Sequence, residues 1–371
     1  MKRDASYTGR RKIWNKCGSG MQAVRVMESV CRNECISYIA DFPPEKKRHK
    51  NHMPQRKHLK RFFCRRPLRY KGREKKERSM RHMDAERKIK RGVAIYSYSG
   101  EYGRTMNLED CFKDMYDMGA TGVEILANSH IDSYPDLSDD YLAKWNALCR
   151  QYQIEPVEYG HWIDNRLYKN RMMSVEEASR KLVNDFRIAH ALGFRILRTK
   201  MGVIDDQLAP VENWREIIRA VLPKAEKYDV VMCPEIHLTT VLADQFVTDY
   251  VDFIQETGTE HFGLNIDLSV FQNRFDVPGV VVFNPDCKHS QPEEIIPLLP
   301  YVKCIHAKFN KMDDSFRELT IPYPEIIKVL QDNGWEGYLL SEYEGANKDV
   351  PGYVSQELRK QHVMLKRLLG Y

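Results

Sequence analysis

Three observations in the 371-residue sequence predict an α/β protein built as a closed parallel (β/α)8 barrel behind a basic N-terminal segment. Short β-branched or apolar runs alternate with longer amphipathic stretches. The alternation recurs about every 30–40 residues from Gly92 onward, as repeated βα units require. Eight such units fit into the roughly 280 residues that remain, the usual size of a closed parallel barrel.

The elements follow in order. Val93–Tyr96 is the first run. Asn107-Leu108-Glu109-Asp110 then supplies an N-cap and early carboxylates for a helix that Gly119 stops. Gly122–Leu126 and Pro156–Tyr159 are the second and third runs. Ser174-Val175-Glu176-Glu177 starts the next helix and Gly193 ends it. Phe194–Arg198, Val230–Cys233, Phe262–Ile266 and Val302–Ile305 are runs four to seven. Asp332-Asn333-Gly334 closes the helix before the last run, Tyr338–Leu340. Each run is followed by a helix-like segment, which gives the (β/α)8 TIM barrel. The runner-up is a doubly wound open sheet, which carries a phosphate-binding glycine loop after its first strand. Ser97-Tyr98-Ser99-Gly100 is not such a loop.

A composition of 42% hydrophobic and 30% charged residues excludes collagen-like and wholly disordered classes. No apolar run approaches the 18 or so residues of a membrane span, and no signal-peptide h-region follows the basic N-terminus. Nine cysteines, an odd number without repeating spacing, suit a reducing compartment, so a cytoplasmic protein is expected. The net charge of +6 conceals two opposite halves. Residues 1–90 hold 28 Lys and Arg against 9 Asp and Glu, whereas residues 91–371 hold 30 against 43. The domain reading is therefore a basic low-order leader over 1–88 and the barrel over 89–371.

In a parallel barrel the active site lies at the C-terminal ends of the strands. Strand five ends Glu235-Ile236-His237, strand six ends at Asp267, strand seven ends His306-Ala307-Lys308, and strand eight ends Ser341-Glu342. Residues two apart share a face, so His237 accompanies Glu235 and Lys308 accompanies His306. Three converging carboxylates repel by about 4 kcal/mol per pair at about 4 Å and an effective dielectric of about 20. A proton or a cation must neutralise them. The imidazole beside them favours a divalent cation, and three oxygens with one nitrogen suit manganese, magnesium, cobalt or iron. The bland alternative, four separate polar strand caps, fits any one of these residues better than it fits all four.

These residues resemble the xylose-isomerase-like barrels, which include sugar isomerases, ketose 3-epimerases and related lyases. The resemblance spans about residues 89–371 and rests on Glu235/His237, Gly263-Leu264-Asn265-Ile266-Asp267, His306/Lys308 and Glu342. It implies Glu235, Asp267, His306 and Glu342 as metal ligands. Many epimerases of that group carry a histidine three residues after the aspartate. Here the position is Val270, which sets the chain apart from standard ketose epimerases. Whole phrases are similar to the large subunit of bacterial C-glycoside deglycosidases: Lys90-Arg91-Gly92-Val93, Glu158-Tyr159-Gly160-His161-Trp162, Arg198-Thr199-Lys200, His306-Ala307-Lys308-Phe309 and Ser341-Glu342-Tyr343-Glu344-Gly345. That likeness implies a 3-oxo-sugar joined to an aromatic aglycone, manganese, and a small β-sandwich partner subunit.

The chemistry common to both is proton abstraction from carbon next to a carbonyl. An epimerase-like reading uses Glu235 and Glu342 on the two faces of the sugar carbon; a deglycosidase-like reading uses His237 as the general base. A hydrogen bond to a ligand is the competing role for His237. Lys308 would neutralise an oxyanion, and Glu124, His161 and Lys200 would bind sugar hydroxyls, with salt bridges or strand caps as their alternative. Arg317 lies in a loop after strand seven, and Tyr96, Tyr98, Tyr159 and Trp162 fall at strand ends, where they would meet a sugar or simply cover the rim.

For the leader there are several readings. A basic arm would bind nucleic acid or anionic lipid through phosphates. Cys31, Cys35, His49 and His52 echo a zinc finger without its spacing, and Gly18–Ala23 matches a dinucleotide fingerprint without a preceding strand. The favoured reading is translation starting at Met80 or Met83. The rival function class is an apurinic-endonuclease-like or other nucleic-acid-binding protein. The net acidity of residues 91–371 opposes it for the barrel.

Overall fold

A computed structural model supplies the structure, which describes residues 88–163, 171–201, 210–278, 280 and 288–371, without the side chains of residues 162, 163, 200 and 201. The cysteine–histidine set and glycine fingerprint of the leader, with Met80 and Met83, lie outside the described residues. Among the described residues nine short strands run parallel in one sheet. They are β1 (Ile89–Ala94), β2 (Gly122–Leu126), β3 (Glu155–Ile163), β4 (Ile196–Met201), β5 (Val231–Cys233), β6 (Glu235–Ile236), β7 (Leu264–Asp267), β8 (Val302–Phe309) and β9 (Gly337–Tyr343). Their order is β5-β4-β3-β2-β1-β9-β8-β7-β6.

Nine strands make eight staves because β5 and β6 are one stave cut at Pro234, which has no N–H to give the ladder. Its carbonyl still accepts the Asn265 amide at 3.2 Å. Since β5 pairs with β4 and β6 pairs with β7, the ring closes through this stave. The closed parallel barrel expected from the alternation is therefore the fold.

Among the described residues seven helices of ten or more residues cover it: α1 (Leu108–Met118), α2 (Asp139–Tyr152), α3 (Val175–Leu192), α4 (Trp214–Lys227), α5 (Gln245–Thr257), α6 (Tyr323–Asp332) and α7 (Tyr353–Leu369). The capping boxes read from the sequence form at Asn107/Asp110 and Ser174/Glu177, and both helices end on left-handed glycines, Gly119 and Gly193. Two expectations need correction. Between β7 and β8 the described residues form 3-10 helices, Leu268–Phe271 and Pro292–Leu298, and Pro297 removes an amide that an α-helix there would use. The first run leaves the sheet at Ala94, and Ile95–Tyr98 forms a 3-10 turn. Ser97 pins that turn to β9, its Oγ donating to Ser341 O at 3.2 Å and accepting from Tyr343 N at 3.0 Å.

The main core lies between staves and helices. Phe112, Trp145, Phe186, Phe194, Phe253 and Phe262 are sealed there, each contributing roughly 1.5–3 kcal/mol. Inside the barrel a smaller apolar floor is made by Val157, Cys304, Tyr338 and Leu340. Gly122 permits it, since a Cβ there would overlap the Tyr338 ring. Above this floor the inward-facing residues are polar. Among the described residues no helix is long and apolar enough to cross a membrane.

Candidate active site

Strand register sets the heights of the polar side chains. Glu235 is the partner of Asn265, Asp267 of His306, and Lys308 of Glu342, so residues from four adjacent staves reach one level at the barrel mouth. Glu235, Asp267, His306 and Glu342 are all buried, and one ligand atom from each lies within 4.8 Å of the others. His306 Nδ1 is 3.0 Å from Glu235 Oε1 and 2.9 Å from Glu342 Oε2. Asp267 is held by its own turn, its Oδ1 accepting from Ser269 N at 2.7 Å.

Lys308 lies over this group. Its Nζ is 3.2 Å from Asp267 Oδ2, 3.5 Å from Glu342 Oε1 and 3.7 Å from Glu344 Oε1. Tyr96 borders the same edge, with Lys348 Nζ 4.2 Å from its ring centre. His237 follows β6, and its Nδ1 donates to the Leu238 carbonyl at 2.5 Å. A carbonyl can only accept, so in a neutral imidazole the lone pair sits on Nε2.

Three further charged residues stand around the quartet. Arg198 of β4 bridges two carboxylates, with Nη2 2.9 Å from Glu124 Oε1 and Nη1 2.9 Å from Glu235 Oε2. Glu158 of β3 accepts from His306 Nε2 at 2.8 Å and from Asn265 Nδ2 at 3.2 Å. The sequence singles out Glu124 but gives Glu158 and Arg198 no role. The available signal was a charged residue at the inward parity of a stave, two residues before Gly160 in one case and two after Ile196 in the other.

Five buried carboxylates, Glu124, Glu158, Glu235, Asp267 and Glu342, face two permanent cations, Arg198 and Lys308. Burial pushes Glu158 and Asp267 up to about 6. Burial also acts to raise Glu342, but Lys308 and His306 outweigh it and hold that carboxyl well below its ordinary range. Burial opposes the charge on His306, and the surrounding carboxylates reverse this, raising it well above 6.5.

A divalent ion fits the quartet on the chemistry of its donors, three carboxylates and an imidazole. Asp267 Oδ2 and Glu342 Oε2 are buried and accept no hydrogen bond of ordinary geometry among the described residues, although cations approach both. Glu124, Glu158 and His306 form a second set with ligand atoms within 4.8 Å. It fits less well. Arg198 already serves Glu124, and His306 approaches this set through its other ring nitrogen. A neutral imidazole has one lone pair and one N–H, so it ligates on one side and donates on the other.

The structure does not bring every sequence candidate to this cluster. His161 is three residues from inward-facing Glu158, hence on the opposite side of β3, where its Nδ1 meets Asp185 Oδ2 of α3 at 2.5 Å. Tyr159 shares that side, its OH donating to Asp185 Oδ1 at 3.1 Å. Tyr98 is buried under α1 and donates to Asp114 at 2.8 Å. Arg317 is exposed and pairs with Asp313 at 2.8 Å. Lys200 and Trp162 lie in β4 and β3, with side chains outside the described residues.

A profile for the xylose isomerase-like TIM barrel matches residues 112–367. The chain belongs to that family. It is 25% identical over 337 residues, 76% of this chain and 92% of the relative, to a C-glycoside deglycosidase alpha subunit of Arthrobacter globiformis. It is 22% identical over 341 residues, 75% of this chain and 95% of the relative, to a 3'-dehydrocarminate deglycosidase alpha subunit of a Microbacterium species. Among solved structures, D-psicose 3-epimerase of Clostridium cellulolyticum superposes with a TM-score of 0.54 at 16% identity, covering 76% of this chain and 99% of the epimerase. At that identity the likeness speaks for the fold.

Proposed function

We propose that this chain is a divalent-metal-dependent enzyme that removes a proton from carbon next to the carbonyl of a keto-sugar, and that it serves as the large subunit of a C-glycoside deglycosidase. The convergence of Glu235, Asp267, His306 and Glu342 carries the reading; these four residues would hold the ion, manganese by the family resemblance. When bound, a divalent cation acts as a Lewis acid toward the oxygen on which charge develops.

The remaining work falls to the chain's own side chains. His237, with Nδ1 fixed on the Leu238 carbonyl, takes the sugar C2 proton at Nε2. The electron pair left at C2 forms the C1=C2 double bond as the C1–aglycone bond, β to the 3-carbonyl, breaks, and the aglycone carbon takes the proton from His237 Nε2. Lys308 orients Asp267 and Glu342 and offers a second positive charge to the developing oxyanion. Val270, buried where many ketose epimerases carry a histidine, argues against a standard ketose epimerase. A small partner subunit is proposed from the names of the two alpha-subunit relatives.

The test is incubation of the full chain and Mn2+ with a 3-oxo-C-glucoside in D2O, beside a panel of free ketoses. Aglycone release, or deuterium entry at C2 of the recovered 3-oxo-glucoside, lost in Glu235→Gln, supports the reading. Exchange on free ketoses alone, with no aglycone released, contradicts the deglycosidase assignment, and neither exchange nor release contradicts both.

A further inference from the structure

We infer that Glu158 is a positioning residue: it accepts the Nε2 proton of His306 from below and thereby turns Nδ1 of that ring toward Glu235 and Glu342. The inference rests on the metal-site reading above, and nothing in that reading assigns Glu158 a part.

The geometry is specific. His306 presents Nε2 to Glu158 Oε2 at 2.8 Å and Nδ1 to the side where Glu235 Oε1 and Glu342 Oε2 stand at 3.0 and 2.9 Å. Glu158 is wholly buried and is fixed from across the barrel by Asn265 Nδ2, 3.2 Å from each of its oxygens. An ionised carboxylate only accepts, so it selects the tautomer with hydrogen on Nε2 and the lone pair on Nδ1. An imidazole so held keeps one orientation and becomes a more basic ligand, and loss of such a partner costs about 10–100-fold in metal affinity. The same geometry argues that the set of Glu124, Glu158 and His306 is not a second ion site, because Nε2 is spent on the hydrogen bond.

The experiment is titration of the full chain with Mn2+, followed by electron paramagnetic resonance, for wild type, Glu158→Gln and Asn265→Ser. Nitrogen-15 spectra of the Zn2+-loaded, histidine-labelled proteins accompany it, with the His306 Nε2–H signal identified by its loss in His306→Asn. The expected wild type binds one ion and shows a protected Nε2–H resonance. Glu158→Gln should lose about tenfold or more in affinity and shift that resonance. Asn265→Ser, which keeps the carboxylate and loosens its anchor, should move both readouts less and in the same direction, and it carries the test should Glu158→Gln not fold. Wild-type affinity and an unmoved resonance in the variants overturn the inference alone, as does binding of two ions per chain. A wild type that binds no ion overturns both the inference and the reading beneath it.

Discussion

Replacing Arg198 by Met tests whether the acidic ring needs its built-in cation. Arg198 touches Glu124 and Glu235 at 2.9 Å each, and all three side chains are buried. At an effective dielectric of about 20 the gross attraction is about 6 kcal/mol per contact. Much of it offsets the desolvation of the guanidinium, so the usable figure is the cost of leaving buried charge uncompensated, about 3–5 kcal/mol. A domain is stable by only about 5–15 kcal/mol, so the urea midpoint of metal-free Arg198→Met should fall steeply. The Glu124→Gln/Arg198→Met double variant should lose less than the sum of the two single variants, because one of the stranded charges is gone. Equal midpoints for wild type and Arg198→Met, or strict additivity in the cycle, would refute the reasoning.

Other perturbations follow from the same geometry. A Cβ on Gly160 would lie 2.6 Å from Leu126 Cδ2, 3.0 Å from Glu124 Oε1 and 3.1 Å from Arg198 Nη2. Gly160→Ala should therefore cost about 1–3 kcal/mol in urea denaturation, and an unchanged midpoint would contradict the packing described. Lys308→Gln should keep Mn2+ in equilibrium dialysis while slowing deuterium exchange on the keto-sugar by about 100–1000-fold, the range for loss of one oxyanion donor; a wild-type rate would remove Lys308 from the chemistry. His130 is buried with Nδ1 accepting from Leu126 N at 2.8 Å, and burial pushes its pKa down to about 3. The unfolded chain gains this proton below about 6.5 and the folded chain does not, so stability present above that pH is lost on acidification. Between pH 7 and 5 the loss is about 2 kcal/mol, and His130→Asn should flatten the measured pH slope by that amount; an identical slope would contradict it.

Much of this architecture was legible in the chain because β-branched runs and helix caps are local signals. Gly122–Leu126 matches its strand residue for residue. The strands β8 and β9 run on to Phe309 and Tyr343, past the apolar runs that announce them, because inward positions at the barrel mouth are polar: His306, Lys308 and Glu342 interrupt the apolar texture without ending the ladder. Parity also decided what was visible at the site. Offsets of two place His306 with Lys308 on the inside, whereas the odd offset between Glu158 and His161 sends the histidine to Asp185. Glu158 and Arg198 passed as ordinary strand residues because their partners, His306, Asn265, Glu124 and Glu235, come from other staves. Only closure of the ring brings these together.

The proposed function puts one divalent cation between β6, β7, β8 and β9. Crystals of the full chain grown with Mn2+ and measured at the manganese edge test it most directly. The predicted result is a single anomalous peak within bonding distance of Glu235, Asp267, His306 Nδ1 and Glu342. A peak centred on Glu124 and Glu158 instead, or no peak at the barrel mouth, would contradict it.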